Sequence, residues 1–163
     1  MATDFTAFYR REATRLVRSV ALATGDPGLA EDAVAEAFAR AWSRWQEVGA
    51  IDRPAAWVLR VALNHARDRF RKRGVERRKA PVVARPEASY DPQARVDLRL
   101  WEAVRSLPPP ECTVIALRYV ADLSQQEIAD ALGIPSGTVA SRLNRARQRL
   151  GATLGSAYEE DLT

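Results

Sequence analysis

The apolar residues of this chain recur at helical spacing along most of its length, and one stretch interrupts that pattern. From Gly74 to Ala94 neither a helical nor a strand period is present, and Pro81, Pro86 and Pro92 fall within the interruption. Proline removes a backbone N–H donor and disfavours helical geometry in the residue before it, so such a stretch is typical of a linker. The sequence therefore predicts two small helical domains, one on each side of it.

The composition agrees with an all-α fold and excludes several classes of protein. Apolar residues make up 47% of the chain, enough for a buried core, whereas aromatic residues make up only 7%, which argues against an all-β fold. One cysteine, Cys112, and one histidine, His65, exclude most zinc, iron–sulfur and disulfide frameworks, so we expect no metal and no cofactor. No apolar run approaches the ~20 residues of a membrane span, and the N-terminus lacks the features of a signal peptide. We therefore expect a cytoplasmic protein without membrane insertion.

Three amphipathic patterns fill the first part of the chain. Apolar residues recur at steps of three and four from Phe5 to Val20, from Ala30 to Trp45 and from Leu59 to Phe70, and each run predicts a helix. Asp52 is a candidate N-cap for the third helix, which we expect to continue to about Arg73.

The second part of the chain contains four further helical patterns. We expect one helix from Val96 to Leu107, and a second that the following prolines open and that continues to about Val120. Ser124 and Glu127 open the third, a short helix, because they have the spacing of a capping box. Ser136 is a candidate N-cap for the last helix.

The last two of these helices have the spacing of a helix-turn-helix. Ala129 falls where the two helices cross and only a small side chain fits, and Gly133 falls in the turn, where a positive φ is tolerated. A polar face on the last helix can place hydrogen-bonding groups against base edges in a DNA major groove. That face consists of Ser141, Asn144, Arg145 and Gln148, and it is flanked by Arg142, Arg147 and Arg149, which are better placed for phosphates. The alternative is an ordinary helical hairpin with a basic surface.

Basic residues concentrate in two stretches of a chain whose net charge is only +4. Between Arg67 and Lys79 eight basic side chains stand against two acidic ones, and between Ser136 and Gly155 there are four arginines and no acid. Two separate basic stretches suggest two contacts with a polyanion. Two solvated helix faces would give the same pattern, so charge alone does not decide.

The third helix has a second face besides its apolar stripe. On it an aromatic residue, an amide and several guanidinium groups recur at helical steps. They are Trp57, Arg60, Val61, Asn64, Arg67 and Arg71. Arginine neutralises phosphate, and amide or aromatic groups hold an unstacked base, so this face is a candidate platform for nucleic acid. The alternative is that Trp57 and Val61 pack against a neighbouring helix.

Charged residues recur every four positions on the second helix, at Asp32, Glu36 and Arg40. No histidine converges on them, so they form a poor metal or acid–base site. The spacing leaves two interpretations open, a solvated surface and a docking face for another protein.

Three sets of segments carry a resemblance to a known family. The first is Ala30–Trp42 (AEDAVAEAFARAW), and the second is Trp57–Asn64 (WVLRVALN) followed by Asp68–Arg73 (DRFRKR). The third set lies in the second part of the chain and consists of Leu107–Pro108, Leu117–Tyr119, Leu123–Ser124, Glu127–Ala129, Leu132–Ile134, Gly137–Val139 and Ser141–Arg147. In this order they resemble the polymerase-binding helix, the promoter-melting helix and the −35-recognising domain of the extracytoplasmic-function (ECF) group of the sigma-70 family of bacterial RNA polymerase sigma factors. The resemblance covers about residues 5–74 and 96–152.

The resemblance implies a function in the initiation of transcription. Residues 1–74 would bind core RNA polymerase and recognise and melt the −10 element, and residues 75–95 would be a flexible linker. Residues 96–155 would form a four-helix domain whose helix-turn-helix recognises the −35 element, followed by an acidic tail, 156–163. The implied partners are core RNA polymerase, promoter DNA and an anti-sigma factor. The chain itself would not be an enzyme.

The resemblance also implies roles for individual residues. Asn64 would help to capture a flipped base of the melted strand. The other residues implied at the −10 element are Arg60, Arg67, Arg69 and Arg71. Those implied at the −35 element are Thr138, Ser141, Arg142, Asn144 and Arg145, and those implied in polymerase binding are Asp32, Glu36 and Arg40.

Two other functions compete with this one. A stand-alone helix-turn-helix regulator would bind duplex DNA tightly without polymerase, but it leaves the polar faces of the second and third helices without a role. An enzyme acting on nucleic acid would need converging carboxylates or a histidine, and the candidate acids lie on a different helix from the basic face. For Cys112 two interpretations stay open, a small buried hydrophobe and a redox-sensitive thiol.

Overall fold

The computed structural model describes residues 4–73 and 92–155, and all regular secondary structure in these two ranges is helical. Before the gap come α1 (Phe5–Thr24), α2 (Pro27–Ser43), α3 (Trp45–Val48) and α4 (Pro54–Arg73). After it come α5 (Pro92–Arg105), α6 (Pro109–Ile115), a π-helical turn (Ala116–Val120), α7 (Gln125–Leu132) and α8 (Ser136–Leu154). The all-α prediction is confirmed. The predicted acidic tail and most of the predicted linker lie outside the described residues, and α5 begins at Pro92, inside the predicted linker.

Helix α2 lies at the centre of the first domain, where it packs against both α1 and α4. Its inner side is made of small residues, Ala30, Ala33, Ala37 and Ala41, and none of them is exposed. Small side chains let neighbouring helices approach closely. The alanine-rich sequence of α2 therefore suits a helix that has neighbours on two sides.

Capping residues define the start of α1, its end and the start of α2. Asp4 caps α1 and Asp26 caps α2, each accepting a backbone N–H of its helix. Gly25 takes a left-handed φ of 72° and donates its N–H to the carbonyl of Ala21, which closes α1 directly before the cap of α2.

Two details of the first domain correct the sequence-based expectations. The expected apolar pattern continues to Trp45, but α2 ends at Ser43 and Trp45 begins the separate helix α3. Trp42, which belongs to the same pattern, is 63% exposed and packs edge-on against Phe5 at a centroid distance of 4.8 Å. The expected N-cap Asp52 is also wrong, because α4 begins at Pro54 and the carbonyl of Arg53 accepts its first turn's N–H groups.

The second domain packs α5, α6 and α7 around α8. The capping box is confirmed, since Ser124 Oγ accepts the Glu127 N–H at 3.1 Å and Glu127 Oε2 accepts the Ser124 N–H at 3.0 Å. The expected N-cap Ser136 is wrong: Pro135 holds that position and Ser136 is the first helical residue. Its hydroxyl instead accepts a hydrogen bond from Gln125 Nε2 at 2.8 Å.

In the two described ranges, no helix is long and apolar enough to cross a membrane.

Candidate nucleic-acid interface

Helices α7 and α8 form a helix-turn-helix with the turn that the sequence predicts. Gly133 has a φ of 65° and ends α7, and the N–H of Ile134 donates to the carbonyl of Ala129 at 3.1 Å. Ala129 is buried at the crossing. The amide of Gln125 donates both to the carbonyl and to the hydroxyl of Ser136 and so joins the first turns of the two helices. The sequence did not predict this contact.

The outer face of α8 is free for a ligand. Ser141, Asn144, Arg145 and Gln148 are all exposed, while Val139, Leu143, Ala146 and Leu150 on the opposite side are buried. Arg145 Nε donates to the carbonyl of Ser141 at 3.3 Å, which holds the guanidinium stem along the helix. Hydrogen-bond donors and acceptors on an exposed helix of this motif suit the pattern of base edges in a major groove.

The arginines that flank this face differ in their partners. Arg147 Nε donates to the hydroxyl of Tyr119 at 2.9 Å. Arg149 Nε lies 3.0 Å from Oε2 of the buried Glu111 and supplies the positive charge that a buried carboxylate requires. Thr138 and Arg142 are half-buried. Two of the three flanking arginines thus have partners within their own domain.

Helix α4 exposes the polar residues that the sequence singles out. Arg60, Asn64, Arg67, Arg69 and Arg71 are exposed, whereas Trp57 and Val61 are half-buried and pack against the core. The packing alternative is therefore correct for the aromatic and aliphatic members of that face. What remains for a ligand is an amide among guanidinium groups, a combination suited to a phosphate backbone with a displaced base.

The charged face of α2 is exposed as well. Asp32 and Arg40 are exposed and Glu36 is half-buried, and Arg40 Nε donates to Glu36 Oε1 at 3.1 Å. Within the described ranges no three His, Cys, Asp or Glu side chains come together in a way that could hold a metal ion. The exposed Trp42 lies near the C-terminal end of the same helix. Aromatic side chains and arginine are enriched at protein interfaces, whereas Asp and Glu are depleted there, so the exposed Trp42 and Arg40 are the residues of α2 that favour a docking face.

Cys112 is buried in the first turn of α6, and its thiol donates to the carbonyl of Leu22 in α1. Burial raises the pKa of this thiol from 9.0 to about 11, against the opposing effect of the Arg105 guanidinium. A thiol of this pKa is almost entirely protonated at neutral pH and is a weak nucleophile. These properties favour the buried-hydrophobe interpretation over a redox-sensitive thiol.

Comparison with known protein families gives two matches along the chain. The family described as Sigma-70 region 2 matches residues 8–75, and the family described as Sigma-70, region 4 matches residues 97–150. The matches occur in this order and fall on the domains that carry α4 and α8 respectively.

Individual proteins are similar over nearly the whole chain. The RNA polymerase sigma-E factor of Streptomyces avermitilis is 31% identical, over 94% of this chain and 86% of its own. The ECF RNA polymerase sigma factor SigL of Mycobacterium tuberculosis is 36% identical, over 91% of this chain and 87% of its own.

Solved structures show the same arrangement of helices. CnrH, in complex with the cytosolic domain of CnrY, has a TM-score of 0.58 at 28% identity, covering 92% of this chain and 86% of its own. The sigma factor RpoE of Bartonella quintana, in complex with the anti-sigma factor NepR, has a TM-score of 0.63 at 24% identity, covering 92% of this chain and 98% of its own. The latter likeness bears on the fold alone.

Proposed function

Because the chain belongs to the ECF RNA polymerase sigma factors of the sigma-70 family, we propose that it binds core RNA polymerase and directs initiation at promoters through their −10 and −35 elements. One observation carries the proposal above all others: both sigma regions occur in a single chain, in order, and each carries an exposed polar helix face. A stand-alone regulator needs only α7 and α8, and it leaves the exposed faces of α2 and α4 without a partner.

The proposed −35 contacts lie on α8. Asn144 and Arg145 are exposed and can form hydrogen bonds with base edges, with Ser141 one helical turn before them. Thr138 and Arg142 are closer to the body of the domain and are better suited to the flanking phosphates.

The proposed −10 contacts lie on α4. Asn64 is exposed between Arg60 and Arg67, so that an amide able to bind a displaced base is next to groups that neutralise the backbone. Arg69 and Arg71 extend the positive surface towards the end of the helix. Taking a base out of the stack costs a few kcal/mol, which contacts of this kind would offset.

The proposed polymerase-binding face is formed by Asp32, Glu36 and Arg40. Its support is exposure and charge: Asp32 and Arg40 are exposed, and the ion pair between Arg40 and the half-buried Glu36 is open enough to exchange partners. RNA synthesis would be left to the polymerase, so we assign the chain no catalytic site, and we place its activity in the cytoplasm.

By analogy with CnrH and its partner CnrY, we also propose that an anti-sigma factor covers some of these surfaces. Repeated native co-purification that recovered polymerase alone would contradict that last point.

The decisive experiment is a pull-down of purified core RNA polymerase with this protein, followed by run-off transcription on fragmented genomic DNA. We expect saturable binding and new, discrete start sites, which would also give the promoter sequence. Tight binding to duplex DNA without any binding to polymerase would overturn the proposal in favour of a stand-alone regulator.

Two variants separate the proposed surfaces. Asp32→Lys should weaken polymerase binding, whereas Asn64→Ala should leave it intact and slow the formation of the open complex. Glu47→Lys is the matched control for charge reversal, since Glu47 is an exposed acid of the same domain outside the proposed face. Equal loss of polymerase binding in the Asp32 and Asn64 variants would contradict the assignment of separate roles.

A further inference from the structure

Two arginines that flank the proposed −35 face of α8, Arg147 and Arg149, have partners of different charge. Arg147 Nε donates to the hydroxyl of Tyr119 at 2.9 Å, and its guanidinium carbon lies 5.8 Å from the centre of the same ring. A phenol is a neutral partner, so the positive charge of Arg147 remains available to a phosphate. Arg149 instead pairs with a carboxylate, that of Glu111 in α6.

The ion pair of Glu111 and Arg149 is unequal in its exposure to water. The Glu111 side chain is 7% exposed and that of Arg149 is 59% exposed, with Arg149 Nε 3.0 Å from Glu111 Oε2. No donor among the described residues makes a hydrogen bond of normal geometry to this oxygen, so the contact with Arg149 is one of charge. A buried carboxylate without a cation is strongly unfavourable, whereas water solvates an exposed guanidinium. Glu111 therefore depends on Arg149, but Arg149 does not depend on Glu111.

The ion pair lies at the edge of the polar face of α8. Glu111 belongs to the first turn of α6, which packs against α8 and so holds the carboxylate beside that helix. Arg149 follows Arg145 by four residues, and side chains at this spacing are neighbours on the surface of a helix. A guanidinium next to a proposed base contact is thus paired with an acid from inside the domain.

This pairing opposes the use of Arg149 by DNA. When Arg149 moves to a phosphate, Glu111 is left buried without its cation, and that cost subtracts from the gain of the new contact. The pair also cancels one of the four arginine charges that α8 carries. Phosphate contacts add affinity for DNA of every sequence, whereas base contacts distinguish sequences. The loss of this phosphate contact therefore weakens binding to all DNA and leaves the base contacts of Asn144 and Arg145 in place.

We propose that Glu111 withholds Arg149 from DNA and so limits the affinity of α8 for DNA of any sequence. The inference rests on the proposed function in taking α8 as the helix that enters the −35 element. It distinguishes Arg149 from Arg147, although both flank the polar face. Less of the free chain is then held on unrelated DNA, and more of it is available to polymerase.

Glu111→Gln tests the proposal, because it removes the negative charge and keeps the size of the side chain. Arg149 then becomes available, and one additional phosphate contact steepens the slope of log affinity against log salt concentration by about 0.9. Between ~50 and ~200 mM salt, the affinity advantage of the variant over the unmodified chain should therefore shrink about 3.5-fold. Fluorescence anisotropy with two duplexes of equal length and unrelated sequence measures these slopes for the full-length chain.

Elution from a column of immobilised duplex DNA gives a second readout that does not require tight binding. Glu111→Gln should elute at a higher salt concentration than the unmodified chain. Elution at the same salt concentration and with an unchanged slope would overturn the proposal. A gain confined to one of the two duplexes would also overturn it, because it would make Arg149 a base contact.

Asp130→Asn is the matched control for the change in net charge. Asp130 is an exposed acid of α7, and its Oδ1 accepts a hydrogen bond from Gln126 Nε2 at 3.0 Å, so its replacement removes one negative charge without freeing an arginine. We expect a smaller shift in elution and no steeper slope for this variant. Equal changes in Asp130→Asn and Glu111→Gln would overturn the proposal, since net charge alone would then explain both.

The double variant Glu111→Gln, Arg149→Gln assigns the effect to Arg149. Both members of the ion pair are then neutral, no buried charge is left behind, and the net charge equals that of the unmodified chain. The slope should return to that of the unmodified chain, and a slope that stays steep would overturn the role of Arg149. Thermal unfolding followed by circular dichroism checks that each variant is folded. None of these measurements involves polymerase, so their failure would leave the proposed function intact, whereas the pull-down tests that function separately.

Discussion

Two glycines of the helix-turn-helix, four residues apart, should respond in opposite directions to replacement by alanine. Gly133 has a left-handed φ of 65°, and a Cβ added there meets no atom within 4 Å. Its replacement therefore costs backbone strain alone, ~1–2 kcal/mol for a left-handed residue with a Cβ. Alanine also lowers the conformational entropy of the unfolded state, which offsets ~0.4–1 kcal/mol of the strain. We expect Gly133→Ala to lower the free energy of unfolding by about 1 kcal/mol.

Gly137 is the control, because it lies in the first turn of α8 and an added Cβ there also meets nothing within 4 Å. Alanine is favoured over glycine inside a helix by ~0.5–1 kcal/mol, so Gly137→Ala should be neutral or stabilising by up to that amount. The two variants should then differ by roughly 1–2 kcal/mol in the free energy of unfolding, although both add a single methyl group to open space.

Urea unfolding followed by circular dichroism measures this difference. With a slope of ~1–3 kcal/mol per molar urea, the midpoints should be separated by roughly 1 M, with Gly133→Ala the lower. Equal midpoints would refute the argument from backbone conformation. A loss well beyond 2 kcal/mol for Gly133→Ala would also refute it, because it would mean that the added methyl group meets atoms that the structure places elsewhere.

Two further variants test the recognition domain. Ser124→Ala removes the hydroxyl that accepts the Glu127 N–H, and should lower the free energy of unfolding by about 1 kcal/mol in the same assay; Ser106→Ala, whose hydroxyl bonds α5 carbonyls instead, should cost less, and equal costs would contradict the capping role. Arg145→Ala should weaken binding of a −35 duplex by ~1–3 kcal/mol relative to unrelated duplexes, measured by fluorescence anisotropy, if its guanidinium contacts a base pair. A uniform loss across sequences would make it a phosphate contact.

The elements of the fold could be predicted because they depend on local signals. Helical periodicity located the core of α1, α2 and α4, and the buried Leu59, Ala62 and Leu63 are the residues that it selects. The capping box and the positive φ of Gly133 were also predictable, since each follows from residues close together in the chain. Ser136 is the first helical residue instead of the cap, because the N-cap position falls on Pro135. Its hydroxyl accepts a hydrogen bond from Gln125, eleven positions earlier, and no local rule contains that contact.

The exposure of the polar residues on the candidate faces was predictable, whereas that of the large aromatic residues beside them was not. Asn64 and Arg145 are exposed as periodicity requires, since each lies opposite an apolar stripe. Trp57 was placed on a candidate binding face and is half-buried, whereas Trp42 was placed in an apolar pattern and is 63% exposed. A large aromatic side chain at the edge of a stripe can turn to either side, and the neighbouring helix decides which.

The packing of the two domains against each other was not predicted from the sequence, and the polar contacts between them show one physical reason. Contacts between opposite charges or between complementary apolar faces depend on the identity of both residues, as in the pair of Arg53 and Glu127. Other contacts across the domain interface run from a side chain to a backbone carbonyl: Arg67 to Leu132, Cys112 to Leu22 and Thr113 to Ala23. Every residue carries a carbonyl, so the identity of the acceptor residue holds no information about its partner. For the same reason such an interface can change by substitution of the donors alone. Replacement of Arg53 or Cys112 removes a contact between the domains without removing a hydrogen bond within either set of helices.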